Sequence, residues 1–156
     1  MYARILVPVD GSGPSTRAFR EALRLAADQH AVLRIVHVID LGVALAPWAE
    51  PAFIDYTTLD SALHETGRRI LDGAMAEART AGLEPESATL ETEVDDPAAE
   101  ILAEAERWGA DLIVMGTHGR HGLVHLILGS VAEGVVQRSK MPVLLLRASD
   151  DAPPAS

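Results

Sequence analysis

The chain has 156 residues, a length that suits one domain of ordinary size, and its 48% of hydrophobic residues exclude a disordered or low-complexity chain. A net charge of −10 argues against broad electrostatic attraction to nucleic acid or to anionic lipid, so any anion must be held locally. The absence of cysteine excludes disulfides, thiolate nucleophiles and cysteine zinc sites, and Lys140 is the single lysine.

The first half of the chain alternates apolar runs with helical patterns. The run 5–9 predicts a buried strand that ends in turn residues at 10–14, and the run 32–38 predicts a second strand. A helix is predicted between them over 14–29, and the segment 40–57 then forms a long loop, a kind of segment that is often functional. The apolar face of this first helix comprises Ala18, Phe19, Ala22, Leu23 and Ala26.

The second half continues the alternation. Helical spacing over 58–81 stops at Gly82, and the alternating segment 88–94 predicts a strand at a sheet edge. Asp96 and Pro97 begin a helix that ends at Gly109. A buried strand at 111–115, a helix at 130–139 and a strand at 143–146 follow. Five strands and four helices in this order predict an α/β fold, an open and mostly parallel sheet with helices on both faces.

Open parallel sheets bind ligands beyond the carboxyl ends of their strands, which directs attention to the loops after Val9 and Met115. The second loop has glycines at 116, 119, 122 and 129 and runs into a helix start at Ser130. Glycine amides, a helix N-terminus and Arg120 would together form an anion cradle. The alternative is that these glycines only permit tight turns after a strand.

Other phosphate-binding loops fit less well. A Walker-type loop needs a lysine after its glycines, and Lys140 lies just before the last strand instead. The dinucleotide fingerprint is a nearer match at Gly11 and Gly13, although its third glycine falls on Thr16. Asp40 occupies the place of a ribose-binding acid.

The spacing of Gly116, Gly119 and the pair Gly129-Ser130 resembles the G-x2-G-x9-G-[ST] nucleotide-binding motif of the universal stress protein family, in its ATP-binding branch. The opening strand with its aspartate, the helix start at 129–133 and the closing strand at 142–146 also match that family in order. The resemblance implies one domain over 1–147, with 148–156 as a flexible tail. It further implies a Rossmann-like sheet of the adenine nucleotide alpha hydrolase type, with strand order 3-2-1-4-5.

The resemblance also implies a site for ATP, with Mg²⁺ expected to accompany the phosphates. Asp10 and the backbone around Val38 would contact adenine and ribose, and Gly116 would lie near the ribose. An acid suits the donors of a nucleoside but repels phosphate, which agrees with that placement of Asp10. The alternative for Asp10 is that it only caps the turn after its strand. The implied binding residues are Pro8, Val9, Asp10, Val38, Met115, Gly116, His118, Gly119, Arg120, Gly129, Ser130 and Val131.

The histidines carry less information. The spacing of His118, His121 and His125 suggests a metal site. No cysteine and no nearby acidic residue is available to complete its ligand set, so we predict no metal. His37 lies within a predicted strand and is interpreted as a satisfied interior histidine. His30 and His64 are interpreted as surface residues.

Binding is better supported than catalysis, because the sequence offers no linked triad and no lysine to neutralise a transferring phosphoryl group. The sequence therefore predicts a nucleotide-dependent stress-response or regulatory protein with little or no turnover, not an enzyme. Two alternatives stay open: an interaction module of the same fold without nucleotide, and a small dinucleotide-binding enzyme domain.

The sequence also leads to expectations about the cellular location and the oligomeric state of the protein. We expect a cytoplasmic protein, because no apolar run approaches the roughly 20 residues of a membrane span and the first residues lack a signal-peptide pattern. The resemblance implies a homodimer that pairs through the apolar last strand, Val143, Leu144, Leu145 and Leu146, at the edge of the sheet.

Overall fold

The computed structural model describes residues 1–41, 55–92, 94–117 and 128–147, and these form a single five-stranded sheet with four helices. The strand order is β3-β2-β1-β4-β5 and all four pairings are parallel, which confirms the predicted fold. The elements are β1 (Arg4–Pro8), α1 (Gly13–Gln29), β2 (Val32–Asp40), α2 (Tyr56–Thr80), β3 (Glu86–Thr92), α3 (Pro97–Trp108), β4 (Leu112–Gly116), α4 (Ser130–Arg138) and β5 (Val143–Leu146).

Alternation along β1 divides the core into two layers, because successive side chains of a strand point to opposite faces. Ile5 and Val7 pack with α1 and α2, whereas Leu6 packs with α3 and α4. The predicted apolar face of α1 is buried at all five positions, which confirms that helical spacing. None of the described helices is both long enough and apolar enough to cross a bilayer.

Three helices begin with a side-chain cap. Ser12, Asp55 and Asp96 accept hydrogen bonds from backbone N–H groups in the first turns of α1, α2 and α3, respectively. The guanidinium of Arg138, 2.8 Å from Asp96 Oδ1, and the Ala99 N–H together hold the pKa of the Asp96 carboxyl at about 2. The fourth helix, α4, begins at Gly129 without a side-chain cap.

The edge strand β3 differs from its prediction by two residues. Its register pairs Glu86 with Arg34 and Thr92 with Asp40, so the strand ends before Val94. Val94, which the alternation placed at the end of the strand, is 83% exposed, because the chain turns through Asp95 at φ 53° toward the cap of α3. The ends of the predicted loop 40–57 belong to β2, which ends at Asp40, and to α2, which begins at Tyr56. Its part 42–54 lies outside the described residues, as does the predicted tail at 148–156.

The amino end of the sheet is occupied by a charged and aromatic cluster of five residues. Arg34 Nε lies 2.6 Å from Glu104 Oε1, and Arg34 Nη1 lies 2.6 Å from Glu86 Oε2. The Trp108 indole N–H donates to Glu86 at 2.8 Å, and its ring stacks under the Arg4 guanidinium, 4.2 Å from the ring centroid. This cluster ties α3 to the first three strands at the end of the sheet remote from the predicted site.

A histidine–glutamate pair, His64 and Glu91, joins α2 to the edge strand β3. His64 Nε2 lies 2.8 Å from Glu91 Oε1, and this hydrogen bond, with the Asp60 carbonyl, raises the pKa of His64 above its usual 6.5. Because the pKa is raised in the folded state, the added stability is complete below the unfolded pKa and is lost as pH rises through the folded pKa.

We therefore expect Glu91→Gln to lower the urea midpoint at about pH 6 and to have little effect by about pH 9. Denaturation monitored by circular dichroism at both pH values measures the difference. Glu84→Gln, which removes a carboxylate from the segment before β3, is the control. An equal fall in the urea midpoint of Glu91→Gln at both pH values would contradict a stabilising role for protonated His64 beside Glu91.

Candidate functional site

A slot opens at the carboxyl edge of the sheet because the central strand is shorter than its neighbour β2. Pro8, the last residue of β1, is level with Val36, while β2 continues to Asp40. On the other side, Leu6 pairs with Ile113 and β4 continues to Gly116. With neighbouring strands about 4.8 Å apart, β2 and β4 face each other across roughly 9.6 Å above the end of β1. This is the strand-order reversal at which open α/β sheets bind ligands.

Val38 forms the β2 wall of the slot with its backbone. In a parallel sheet, alternate residues of a strand direct their N–H and C=O to alternate neighbours. Val36 accepts from the Val9 N–H at 2.8 Å, whereas Leu41 donates to Thr92 of β3 at 3.3 Å. The backbone groups of Val38 therefore point to the β1 side, beyond the last residue of β1.

Gly116 and Thr117 form the opposite wall. A Cβ at Gly116 would stand 2.8 Å from the Pro14 carbonyl carbon and 2.9 Å from the Ser15 nitrogen, so only glycine lets the end of β4 meet the start of α1. Thr117 is buried and connects three elements: its N–H donates to Leu146 at 2.9 Å, and its carbonyl accepts from the Gly129 N–H at 2.7 Å. These bonds fix the start of α4 beside the slot.

The first turn of α4 carries N–H donors that the helix itself does not use. Its first intrahelical bond runs from the Glu133 N–H to the Gly129 carbonyl at 2.9 Å. The N–H groups of Ser130, Val131 and Ala132 precede that bond and have no carbonyl partner within the helix. With no side-chain cap from Gly129, this terminus combines N–H donors outside the helical ladder with the positive end of the helix dipole.

Asp10 begins the turn between β1 and α1. Its Oδ1 accepts from the Ser12 N–H at 2.8 Å, and its own N–H donates to Ser15 Oγ at 3.0 Å. The capping role that the sequence left open for Asp10 is therefore present in the structure. These bonds also fix the carboxyl group at the end of β1, at the base of the slot.

His37 is a residue of the site region that the sequence did not indicate. It is buried, as predicted for an interior histidine, and its Nδ1 lies 2.7 Å from the carbonyl oxygen of Val9. A carbonyl only accepts, so Nδ1 carries the proton. Nothing in the sequence distinguishes this histidine from a core residue, because its partner lies on another strand, 28 positions away.

Nine of the predicted binding residues are described, and all lie at the carboxyl edge of the sheet or at the start of α4. They are Pro8, Val9, Asp10, Val38, Met115, Gly116, Gly129, Ser130 and Val131. Val38 and Met115 contribute to the same core layer, under α3 and α4. His118, Gly119 and Arg120 lie outside the described residues, as do His121 and His125.

A groove of about 230 Å³ lies on the other face of the sheet, between α1 and α2. Phe19, Ile70 and Ala74 line it with apolar surface, and Arg69 and Glu77 add charge. Val9 and Ser15 also line it, but Val38, Met115 and the start of α4 belong to the other core layer, so we do not assign the predicted site to it.

The sequence and the fold are similar to those of known proteins. The model of the universal stress protein family matches residues 1–147. The universal stress protein YxiE of Bacillus subtilis is 35% identical over 153 residues, which cover 94% of this chain and all of that protein.

Two similar solved structures contain nucleotides. A universal stress protein in complex with cAMP has a TM-score of 0.69 and 28% identity, covering 95% of this chain and 99% of the other. The universal stress protein from Archaeoglobus fulgidus in complex with dAMP has a TM-score of 0.63 and 25% identity. The match covers 93% of this chain and 98% of the other.

Proposed function

The chain belongs to the universal stress protein family, and from that premise we propose that it binds an adenine nucleotide, ATP above all, in the slot above β1. The observation that carries the proposal is the uncapped start of α4, held beside the slot by the 2.7 Å bond from Gly129 to Thr117. The complexes of related proteins with cAMP and dAMP support it.

The slot suits a nucleotide because its two sides differ in chemistry. The Val38 backbone offers a donor and an acceptor on the same side, which complement the adjacent acceptor and donor of an adenine edge. Guanine presents a different order of groups on its corresponding edge. The amides of Ser130 and Val131 and the Ser130 hydroxyl would bind phosphate oxygens. The nucleotide would therefore lie with its base toward β2 and its phosphates toward α4.

This placement resolves a difficulty raised by the net charge of −10. A strongly acidic chain repels a triphosphate at long range, so the attraction must come from local dipoles. Backbone N–H groups at a helix start supply that attraction without a basic surface. A Mg²⁺ ion would be held by phosphate oxygens and water, since the described residues include no group of three His, Asp or Glu side chains that could hold a metal.

We also propose that the protein is a nucleotide-dependent regulator and not an efficient enzyme. The single lysine, Lys140, is paired with Glu106 at 3.0 Å, and Arg120, which lies outside the described residues, is the one arginine among the predicted binding residues. Fast phosphoryl transfer needs such positive groups and a positioned nucleophile. Nucleotide occupancy would instead select a conformation or a partner.

A homodimer through β5 is part of the same proposal. β5 pairs with β4 on one side and ends the sheet order, and Leu144 is 36% exposed. An apolar edge strand gains protection by pairing with a copy of itself across a twofold axis. Sedimentation at micromolar concentration would test this, and a monomer would contradict it.

Isothermal titration calorimetry tests nucleotide binding directly. Protein freed of bound nucleotide is titrated with Mg-ATP, AMP, cAMP and GTP. We expect saturable binding of an adenine nucleotide with about a tenfold preference over GTP, which corresponds to about 1.4 kcal/mol. Absence of binding to all four would favour the interaction module, and tighter binding of NAD in a parallel titration would favour the dinucleotide enzyme.

A further inference from the structure

We propose that His37 is a positioning residue for base recognition: by binding the Val9 carbonyl, it keeps the backbone edge of Val38 open toward the slot. This inference rests on the proposed function for its consequence, adenine selectivity. Its structural half, the pairing at the end of β1, can be tested without any nucleotide.

The His37 side chain replaces a hydrogen bond of the β1–β2 ladder. In a continued parallel ladder, the Val9 carbonyl would accept from the Val38 N–H, just as Val36 accepts from the Val9 N–H at 2.8 Å. Instead, the His37 Nδ1–H donates to that carbonyl at 2.7 Å. No backbone hydrogen bond joins Val38 to Val9 in the part of the chain that the structure describes. The side chain of His37 thus ends the β1–β2 ladder one bond early.

Helix α2 holds the imidazole ring of His37 in place. His37 is 9% exposed, and α2 crosses it at Gly67, where a Cβ would stand 2.7 Å from the ring Cδ2 and 3.1 Å from Nε2. Because the helix packs directly on the ring, the imidazole has little room to rotate away from Val9. The packing of α2 therefore fixes the carbonyl that precedes Asp10.

The hydrogen bond from His37 to Val9 affects recognition through the peptide group that joins Val9 to Asp10. The peptide that begins with the Val9 carbonyl also carries the N–H of Asp10, which donates to Ser15 Oγ at 3.0 Å. One peptide plane is thus held at both ends, by His37 from one side and by α1 from the other. If the Val9 carbonyl turned toward Val38, it would occupy the donor that the proposed adenine edge requires.

The test compares His37→Leu, which removes the donor, with His37→Asn, whose amide N–H replaces Nδ1–H. Hydrogen exchange of the Val38 amide, followed by NMR in the nucleotide-free protein, shows whether this amide forms a hydrogen bond with the Val9 carbonyl. We expect about tenfold greater protection of that amide in His37→Leu, since it can now pair with Val9, and near wild-type exchange in His37→Asn. The preference for ATP over GTP is expected to fall about tenfold in His37→Leu only.

Gly67→Ala provides a second route to the same ring without removing the imidazole. The added methyl group must displace the ring, so we expect a smaller change in both measurements in the same direction. This variant and His37→Asn decide the question if His37→Leu does not fold.

The outcomes separate the inference from the proposed function. Unchanged Val38 exchange in the variants that remove or displace the ring overturns the inference, even if wild-type protein binds ATP. Equal loss of ATP and GTP affinity also overturns it, because that is the result of general destabilisation. If wild-type protein binds no nucleotide, the proposed function and the recognition half of the inference fail, while the exchange result still decides the structural half.

Discussion

Substitution of Gly116 by alanine is expected to weaken nucleotide binding by at least about tenfold and to lower the free energy of unfolding by about 1–3 kcal/mol. The added Cβ would stand 2.8–2.9 Å from the Pro14 carbonyl carbon, the Pro14 Cβ and the Ser15 nitrogen. Two of these three atoms belong to backbone and cannot move without shifting the first turn of α1. That shift would also disturb Ser15 Oγ, which accepts from the Asp10 N–H.

The measurement combines urea denaturation with titration of Mg-ATP. Gly73→Ala is the matched control, because a Cβ at Gly73 meets nothing within 4 Å and gains about 1 kcal/mol of helix propensity. Wild-type affinity in Gly116→Ala would show that the end of β4 does not form a wall of the nucleotide site.

The contact at Gly116 illustrates what sequence patterns can and cannot predict. The motif spacing indicated that this glycine belongs to a binding loop, and apolar periodicity indicated that it follows a buried strand. The partner of its missing side chain could not be inferred, because Pro14 lies about a hundred positions earlier in the chain. A glycine required for close approach has the same sequence signature as one required for a turn.

Strand and helix positions were predicted from periodicity because burial imposes it. Two of the three interior strands, β1 and β4, are covered on both faces and are continuous apolar runs, as expected of a parallel sheet. The end of β3 was misplaced because alternation continues formally to Val94, whereas the real strand stops where its register with β2 stops, at Thr92. Register depends on how two strands pair in the fold, so it cannot be predicted from the sequence pattern of one strand.

Polar contacts across strands were the least predictable features of the site. His37 was interpreted correctly as buried, but its bond to Val9 depends on two strands lying side by side. The amino-end cluster was missed for the same reason: Arg34, Glu104 and Trp108 come from a strand and a helix that the chain separates widely. Charged residues in a sequence are usually surface residues, and Glu104, at 3% exposure, is an exception.

That exception leads to the largest effect on stability that we expect. Glu104→Ala should lower the free energy of unfolding by about 3 kcal/mol, at the lower end of the cost of leaving a buried charge without its partner. Arg34, whose side chain is 15% exposed, would lose the carboxylate 2.6 Å from its Nε. The loss stays at the lower end because Arg34 keeps Glu86 at 2.6 Å and remains 5.6 Å from the Trp108 ring centroid.

Thermal and urea unfolding measure this effect, with an expected fall in melting temperature of about 6–12 °C for a domain of this size. Glu106→Ala, two residues along the same helix, is the control: its carboxylate is 49% exposed and pairs with Lys140 at 3.0 Å, so its loss should cost at most about 1 kcal/mol. Equal effects of the two substitutions would contradict the role of burial.

A double variant separates the cost of a lone charge from the value of the pair itself. Replacing Arg34 and Glu104 together with methionine removes both charges while keeping apolar volume, so it should be markedly less destabilising than Glu104→Ala. The Arg34 Nε and Glu104 Oε1 atoms are in contact without a well-aligned hydrogen bond, and Glu104 Oε2 pairs with the exposed Arg107, so Coulombic attraction to these two arginines has to offset the desolvation of Glu104 and Arg34. If the double variant is instead as unstable as Glu104→Ala, the pair contributes more than its burial costs. Because this cluster lies at the amino end of the sheet, nucleotide affinity measured below the unfolding transition should stay unchanged in every one of these variants.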